Sequence, residues 1–170
     1  GLQGSDAREY VMKFVRPSVE CMNLPDNAYN DGAMTDRAIE ILDGLAGEDQ
    51  PFFFAVGFAR PHLPFAAPKK YWDLYTRDEI PLAAFRDHAE NSPELAYHSS
   101  GELRTYSDIP PLVSFTDLMS NHTRLPEEKQ KELIHGYYAS VSYVDAQVGR
   151  LLRALDSLNL TGNTIIIPVS

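Results

Sequence analysis

An α/β fold, with parallel strands packed between helices, is what the sequence predicts, and three observations predict it. Residues 51–65 read PFFFAVGFARPHLPF, opening on the apolar run Phe52, Phe53, Phe54, Ala55 and Val56 before Gly57 breaks it. An apolar run of that length bounded by turn residues reads as a strand buried on both faces, the kind that parallel sheets use. Residues 126–158 carry apolar side chains at sustained helical spacing, and Thr164, Ile165, Ile166 and Ile167 read as a second buried strand. Strand, long helix and strand make a parallel crossover unit, which is expected to be right-handed.

Taken in order, the chain begins with weak periodicity. Val11, Phe14 and Val15 suggest one short helical face, Pro17 and Pro25 interrupt, and Asn30-Asp31-Gly32 is a turn signal. Residues 35–45 read as a helix. Thr35 suits its N-cap, Asp36 complements its dipole, Ala38, Ile41, Leu42 and Leu45 recur at helical spacing, and Gly47 stands just past its end. After the strand, Pro68 and the face made by Tyr71, Leu74 and Tyr75 suggest two helical turns. Residues 78–124 are an irregular excursion punctuated by Pro81, Pro93, Pro110 and Pro111, expected near the mouth of the site. The long helix follows. Pro126, Glu127 and Glu128 suit its first turn, and Leu133, Tyr137, Val141, Val144, Val148, Leu151 and Leu155 trace its apolar stripe. Thr161-Gly162-Asn163 turns the chain into the last strand.

Composition bounds the function. The 170 residues amount to about one domain, long enough to bury a core. A formal net charge of -9 argues against a nucleic-acid groove or an anionic membrane surface, so an anion site would be a local basic pocket. No apolar run approaches the ~20 residues of a membrane span, and residues 1–8 do not read as a signal peptide. Cys21 is the only cysteine, which excludes an intrachain disulfide and leaves the compartment open.

The chemistry points to the corner after the first strand. Ligands in open parallel sheets bind at the carboxyl ends of the strands, where Arg60 and His62 fall. Pro61 and Pro64 fix the backbone around His62, which beside a bound dianion serves as a hydrogen-bond donor or general acid. The Arg60 guanidinium suits sulfate or phosphate oxygens. The bland readings are a solvated arginine and a surface histidine. Asp87-His88 lies in the irregular excursion with no strand before it and is rejected as a metal pair. Tyr97, His98 and Arg104 could contact substrate but read better as surface residues, and His122 and His135 as solvated. Core packing accounts for Tyr137, Tyr138 and Tyr143. Asn121 and Asn159 open glycosylation-type triplets of little weight. Neither a zinc spacing, a phosphate-cradling glycine loop nor a nucleophile elbow occurs. On residues alone, an anion-handling enzyme and a binding module both stand.

Four stretches carry a resemblance: Tyr29-Asn30-Asp31-Gly32 with Thr35-Asp36-Arg37-Ala38; PFFFAVGFARPHLPF; PKKYWDLY; and HGYYASVSYVDAQVGRLLRALDSLNLTGNTIII. With these the chain resembles the sulfatases of the alkaline phosphatase superfamily, in the iduronate-2-sulfatase-like branch. The resemblance implies an alkaline-phosphatase-like mixed, mainly parallel sheet flanked by helices, of which residues 1–170 would be an incomplete segment. It implies hydrolysis of a sulfate ester on a sugar or glycan, glycosaminoglycans among them. In the family a cysteine or serine in a C/S-x-P-x-R motif becomes formylglycine, and a calcium ion holds the sulfate oxygens. His62 matches the family histidine that bonds the sulfate near its leaving oxygen, and Arg60 stands where the nearest-looking relatives have lysine.

The departures define the segment. Cys21 is followed by Met22, Asn23, Leu24 and Pro25, which does not fit the nucleophile motif, and no other Cys or Ser fits it. The family's paired N-terminal aspartates are absent, and its Asp-His pair is expected directly after Ser170. Pro168 is unusual within a buried parallel strand. The expectation is the middle of a secreted or periplasmic calcium-dependent sulfatase, with a sulfated carbohydrate and the remainder of the domain as partners. No metal ligand is expected in this segment, and alone it should be inactive and marginally stable. A sulfatase-like module that binds sulfated glycan without cleaving it is the alternative, and a phosphoryl-transferring relative a weaker one.

Overall fold

The computed structural model describes residues 16–85, 89–93, 100–109 and 125–169. Val11, Phe14, Val15, Asp87, His88, Tyr97, His98, Asn121, His122 and Ser170 lie outside the described residues. The architecture is α/β, in the order β1 (Val19–Met22), α1 (Asn30–Ala46), β2 (Phe65–Pro68), α2 (Lys69–Trp72) and α3 (Glu127–Ser157), with short 3-10 turns at Asp26–Ala28, Arg77–Glu79 and Leu103–Thr105. Strands β1 and β2 pair in parallel, with Val19 opposite Phe65 and Met22 opposite Pro68. No helix among the described residues is long and apolar enough to cross a membrane.

The parallel pair is not the one the sequence predicts. Residues 52–58 and 164–169 join no ladder among the described residues. Phe52, Phe54 and Val56 line an open cleft together with Ile165, Ile167 and Val169. An extended run becomes a strand only when a neighbouring backbone takes up its N–H and C=O groups. Here Phe53 is 95% and Ile165 87% exposed, so neither run is buried on both faces. The strands that do pair are short and carry few large apolar side chains.

Helix α1 starts earlier than predicted. Thr35 is not its N-cap but a fully buried residue of its second turn, donating its hydroxyl to the Asp31 carbonyl (2.7 Å). Tyr29 occupies the cap position with extended backbone and no side-chain cap. What holds this end is Tyr143 of α3, whose hydroxyl accepts the Gly32 N–H (2.5 Å) and donates to the Asp26 carbonyl (3.0 Å). Gly32 permits the approach, since a Cβ there would stand 2.0 Å from the Asp26 oxygen. The helix predicted from Pro68 is the single turn α2. Pro68 itself ends β2.

Helix α3 has nearly the predicted span, with Pro126 at its N-cap and two glutamates in its first turn. Its buried face differs from the predicted stripe. His135, Gly136, Ala139, Ser140, Tyr143, Gln147 and Leu155 face inward, while Tyr137 and Val141 are 44% and 41% exposed. Small size decides this: Gly136 and Ala139 let the helix settle on the alanines of β2 and on Trp72. Tyr143 is core, as expected, but Tyr137 and Tyr138 are exposed side chains flanking Phe65 and Tyr75. His135 is buried rather than solvated, its Nε2 bonded to the Trp72 carbonyl (2.8 Å). The main cluster joins Ala67, Tyr71, Trp72, Ala139 and Tyr143, and a second joins Leu42, Leu155 and Leu160.

The closeness of α3 makes a prediction. Helix propensity alone favours alanine over glycine by about 1 kcal/mol. A Cβ at Gly136, however, would stand 2.9 Å from both Phe65 Cβ and Trp72 Cη2. Overpacking of that kind costs about 1–3 kcal/mol. Gly136→Ala is therefore expected to lower the melting temperature of the protein; an equal or higher Tm would contradict the tight contact.

Candidate active site

The corner at residues 59–64 is built from three directions. Asp31, in the first turn of α1 and only 2% exposed, accepts the backbone N–H of Ala59 through Oδ1 and that of Arg60 through Oδ2, each at 3.0 Å. One carboxylate thus clamps two successive amides just past the apolar run. Arg60 braces the loop from its own side: Nε donates to the Ala66 carbonyl and Nη1 to the His62 carbonyl, both at 3.1 Å. The Arg60–Pro61 and Leu63–Pro64 peptide bonds are both cis. Below the loop, the Phe65 N–H bonds to the Ser18 carbonyl (2.8 Å) and ties the corner to the start of β1.

His62 sits at the tip with its side chain 69% exposed. Its Nδ1 lies 2.9 Å from the Leu63 carbonyl oxygen. A carbonyl only accepts, so Nδ1 carries the proton of that bond and Nε2 is the nitrogen turned outward. Nε2 stands 3.5 Å from Glu102 Oε2. The other carboxylate oxygen, Oε1, accepts the Tyr106 hydroxyl (3.2 Å). Burial and this bond to Glu102 push the Tyr106 phenol up, so it stays a donor.

The turn that carries Glu102 and Tyr106 is anchored to the fold. Asp108 accepts the Ser18 N–H (2.7 Å), the Ser18 hydroxyl (2.8 Å) and the Lys129 ammonium (2.7 Å), and the Ser107 N–H bonds to the Arg16 carbonyl. Burial raises the Asp108 carboxyl, but Lys129 and Ser18 outweigh it and hold it below the ordinary value of 3.8. A carboxylate depressed by folding contributes stability that is present above its unfolded pKa and lost as pH falls through the lower folded one. The urea midpoint should therefore fall as pH drops below about 4, and Asp108→Asn should flatten that dependence; an equally steep acid limb in the variant would remove Asp108 from the account.

The two residues singled out from sequence, Arg60 and His62, share this corner. Arg104, read as a surface residue, is half-buried on the turn beside Glu102. Asp31, Glu102 and Tyr106 were missed. Asp31 lay inside a triplet read as a turn, and Glu102 in a stretch without period. Cys21 is exposed on β1, and partial desolvation pushes its thiol up, the opposite of activation. Among the described residues no group of three or more His, Cys, Asp or Glu is placed to hold a metal ion. The side chains here thus do not fit a calcium cage, which takes six to eight oxygen ligands.

A family model described as Sulfatase matches residues 4–170. The chain belongs to the sulfatase family. It is 36% identical over 148 residues to the iduronate 2-sulfatase of Homo sapiens, covering 87% of this chain and 26% of that protein. It is 29% identical over 133 residues to an arylsulfatase of Clostridium perfringens, covering 77% of this chain and 24% of that one. A multifunctional alkaline phosphatase superfamily protein of Trinickia caryophylli is 30% identical over 146 residues, 85% of this chain and 27% of the relative. This sulfatase chain therefore spans about a quarter of the length of the curated relatives it matches.

Proposed function

We propose that the complete protein hydrolyses sulfate esters of a sugar or glycan, and that this chain contributes the histidine that meets the sulfate at its leaving oxygen. The observation that carries the reading is the presentation of His62. Its Nδ1 is committed to the Leu63 carbonyl and its Nε2 is turned outward from a loop clamped by Asp31, in a chain of the sulfatase family. In this reading His62 is the imidazolium: with Nδ1–H held by the Leu63 carbonyl, Nε2–H donates to a sulfate oxygen and hands its proton to the departing alkoxide, leaving the neutral ring protonated at Nδ1. Arg60 holds the loop with Nε and Nη1 and meets the anion with the remaining edge of its fork. The formylglycine nucleophile and the calcium ligands come from residues outside this chain; the ion, when bound, neutralises the sulfate oxygens. The runs at 52–58 and 164–169 take their place in an alkaline-phosphatase-like mixed sheet completed by the remainder of the domain, in a secreted or periplasmic protein.

The test is turnover by the complete protein of 4-nitrophenyl sulfate and of sulfated oligosaccharides, with and without a calcium chelator. Sulfate release that the chelator abolishes is the expected result. Saturable binding of the oligosaccharides with no release would replace the reading with a glycan-binding module. Preferential cleavage of the corresponding phosphate esters would replace it with phosphoryl transfer.

A further inference from the structure

We infer that Glu102 is a specificity-determining residue: it screens the group that neighbours the sulfate ester, accepting a hydroxyl and rejecting a second anion. The inference deepens the proposed sulfate-ester reading and rests on it. It starts from the contact at the tip of the corner. Both nitrogens of His62 have partners without substrate, Nδ1 with the Leu63 carbonyl and Nε2 with the Glu102 carboxylate at 3.5 Å. With His62 as the imidazolium, a sulfate oxygen that bonds Nε2–H must take the place of that carboxylate, because both are acceptors for one donor. The side-chain exposures, 69% for His62 and 47% for Glu102, make this a weakly held contact that solvent already screens.

Displacement does not send Glu102 far away. Its other oxygen is held by the Tyr106 hydroxyl, and the turn carrying both is fastened to β1 and α3 through Asp108. The carboxylate therefore remains beside the bound ester with an acceptor oxygen it has just lost a partner for. Carboxylates accept and do not donate. A hydroxyl on the atom next to the ester carbon can donate to it. A carboxylate or a second sulfate in that position meets a like charge, which is how sites reject a wrong partner. Tyr106, whose proton is committed to Glu102, keeps the carboxylate aimed.

Three aryl esters separate these cases in the complete protein: phenyl sulfate, 2-hydroxyphenyl sulfate and 2-carboxyphenyl sulfate. The quantity read is kcat/KM of Glu102→Gln over that of the unaltered protein, which cancels differences between the leaving groups. Glutamine keeps the shape and still accepts from Tyr106, so folding is preserved. Relative to phenyl sulfate, the ratio should rise about tenfold for the 2-carboxyphenyl ester. For the 2-hydroxyphenyl ester it should fall about two- to tenfold. A ratio equal for all three esters overturns the inference and leaves the sulfatase reading intact. Failure of the unaltered protein to cleave any of the three, with no sulfate released from sulfated oligosaccharides either, removes the sulfatase reading, and this inference with it.

Discussion

Replacing His62 by alanine in the complete protein is expected to lower kcat/KM for a sugar sulfate by about 10²- to 10⁴-fold, the range of a positioned general acid. The loss should depend on the leaving group. A nitrophenolate departs without a proton, whereas a sugar alkoxide needs one as the S–O bond breaks. The drop should thus be much smaller for 4-nitrophenyl sulfate than for the sugar ester. That gradient separates proton transfer from mere sulfate binding, which would weaken both esters alike. His62→Gln tests the same point from the other side: it keeps a donor at the tip but cannot transfer a proton, so it should recover affinity and not kcat for the sugar ester. A loss below about tenfold on the sugar ester would exclude the acid role.

The legible part of this fold is the part whose signal is local. Helix α3 could be read because caps, charge and a long period all agree over its length, and Arg60 and His62 because Pro61 and Pro64 frame them within a few residues of a conspicuous apolar run. The pairing of β1 with β2 was illegible for the opposite reason. Val19–Met22 is mostly exposed and mixes apolar, acidic and thiol side chains, and Phe65–Pro68 ends in a proline that suggests a helix start. The apolar run at residues 52–56 misled by its strength, since its hydrophobicity exceeds what this chain buries: Phe53 is almost wholly exposed. The burial pattern of α3 misled in the same way. Periodicity marks apolar residues, but Gly136 and Ala139 decide which face can come close, and small residues carry little hydrophobic signal.

The site divides along the same line. Asp31 acts on amides 28 and 29 residues further along the chain, and Glu102 reaches His62 from a turn with no regular pattern. No local period encodes such contacts. They exist because α1, β1 and the Asp108 anchor bring three separate backbones to one loop, which only the folded chain displays.

Asp31 accordingly carries the second large effect. Its two oxygens serve two backbone donors at 3.0 Å in a nearly solvent-free position, so the carboxylate cannot be exchanged for an amide without pointing a donor at a donor. Hydrogen bonds to a charged partner contribute about 1.5–3 kcal/mol each. Asp31→Asn should thus destabilise the protein by about 2–4 kcal/mol, read from urea unfolding. The loop should also shift, since the Ala59 and Arg60 amides are the last fixed points before His62. A displacement of about 1 Å at a reacting group costs about 10²-fold in rate. That loss should appear in kcat for the sugar ester while the Leu155→Ala variant, whose loss of about 2–5 kcal/mol falls in the separate cluster with Leu42 and Leu160, retains its kcat. Equal kcat losses in the two variants would reduce Asp31 to a structural residue; a selective loss assigns it the positioning of the histidine.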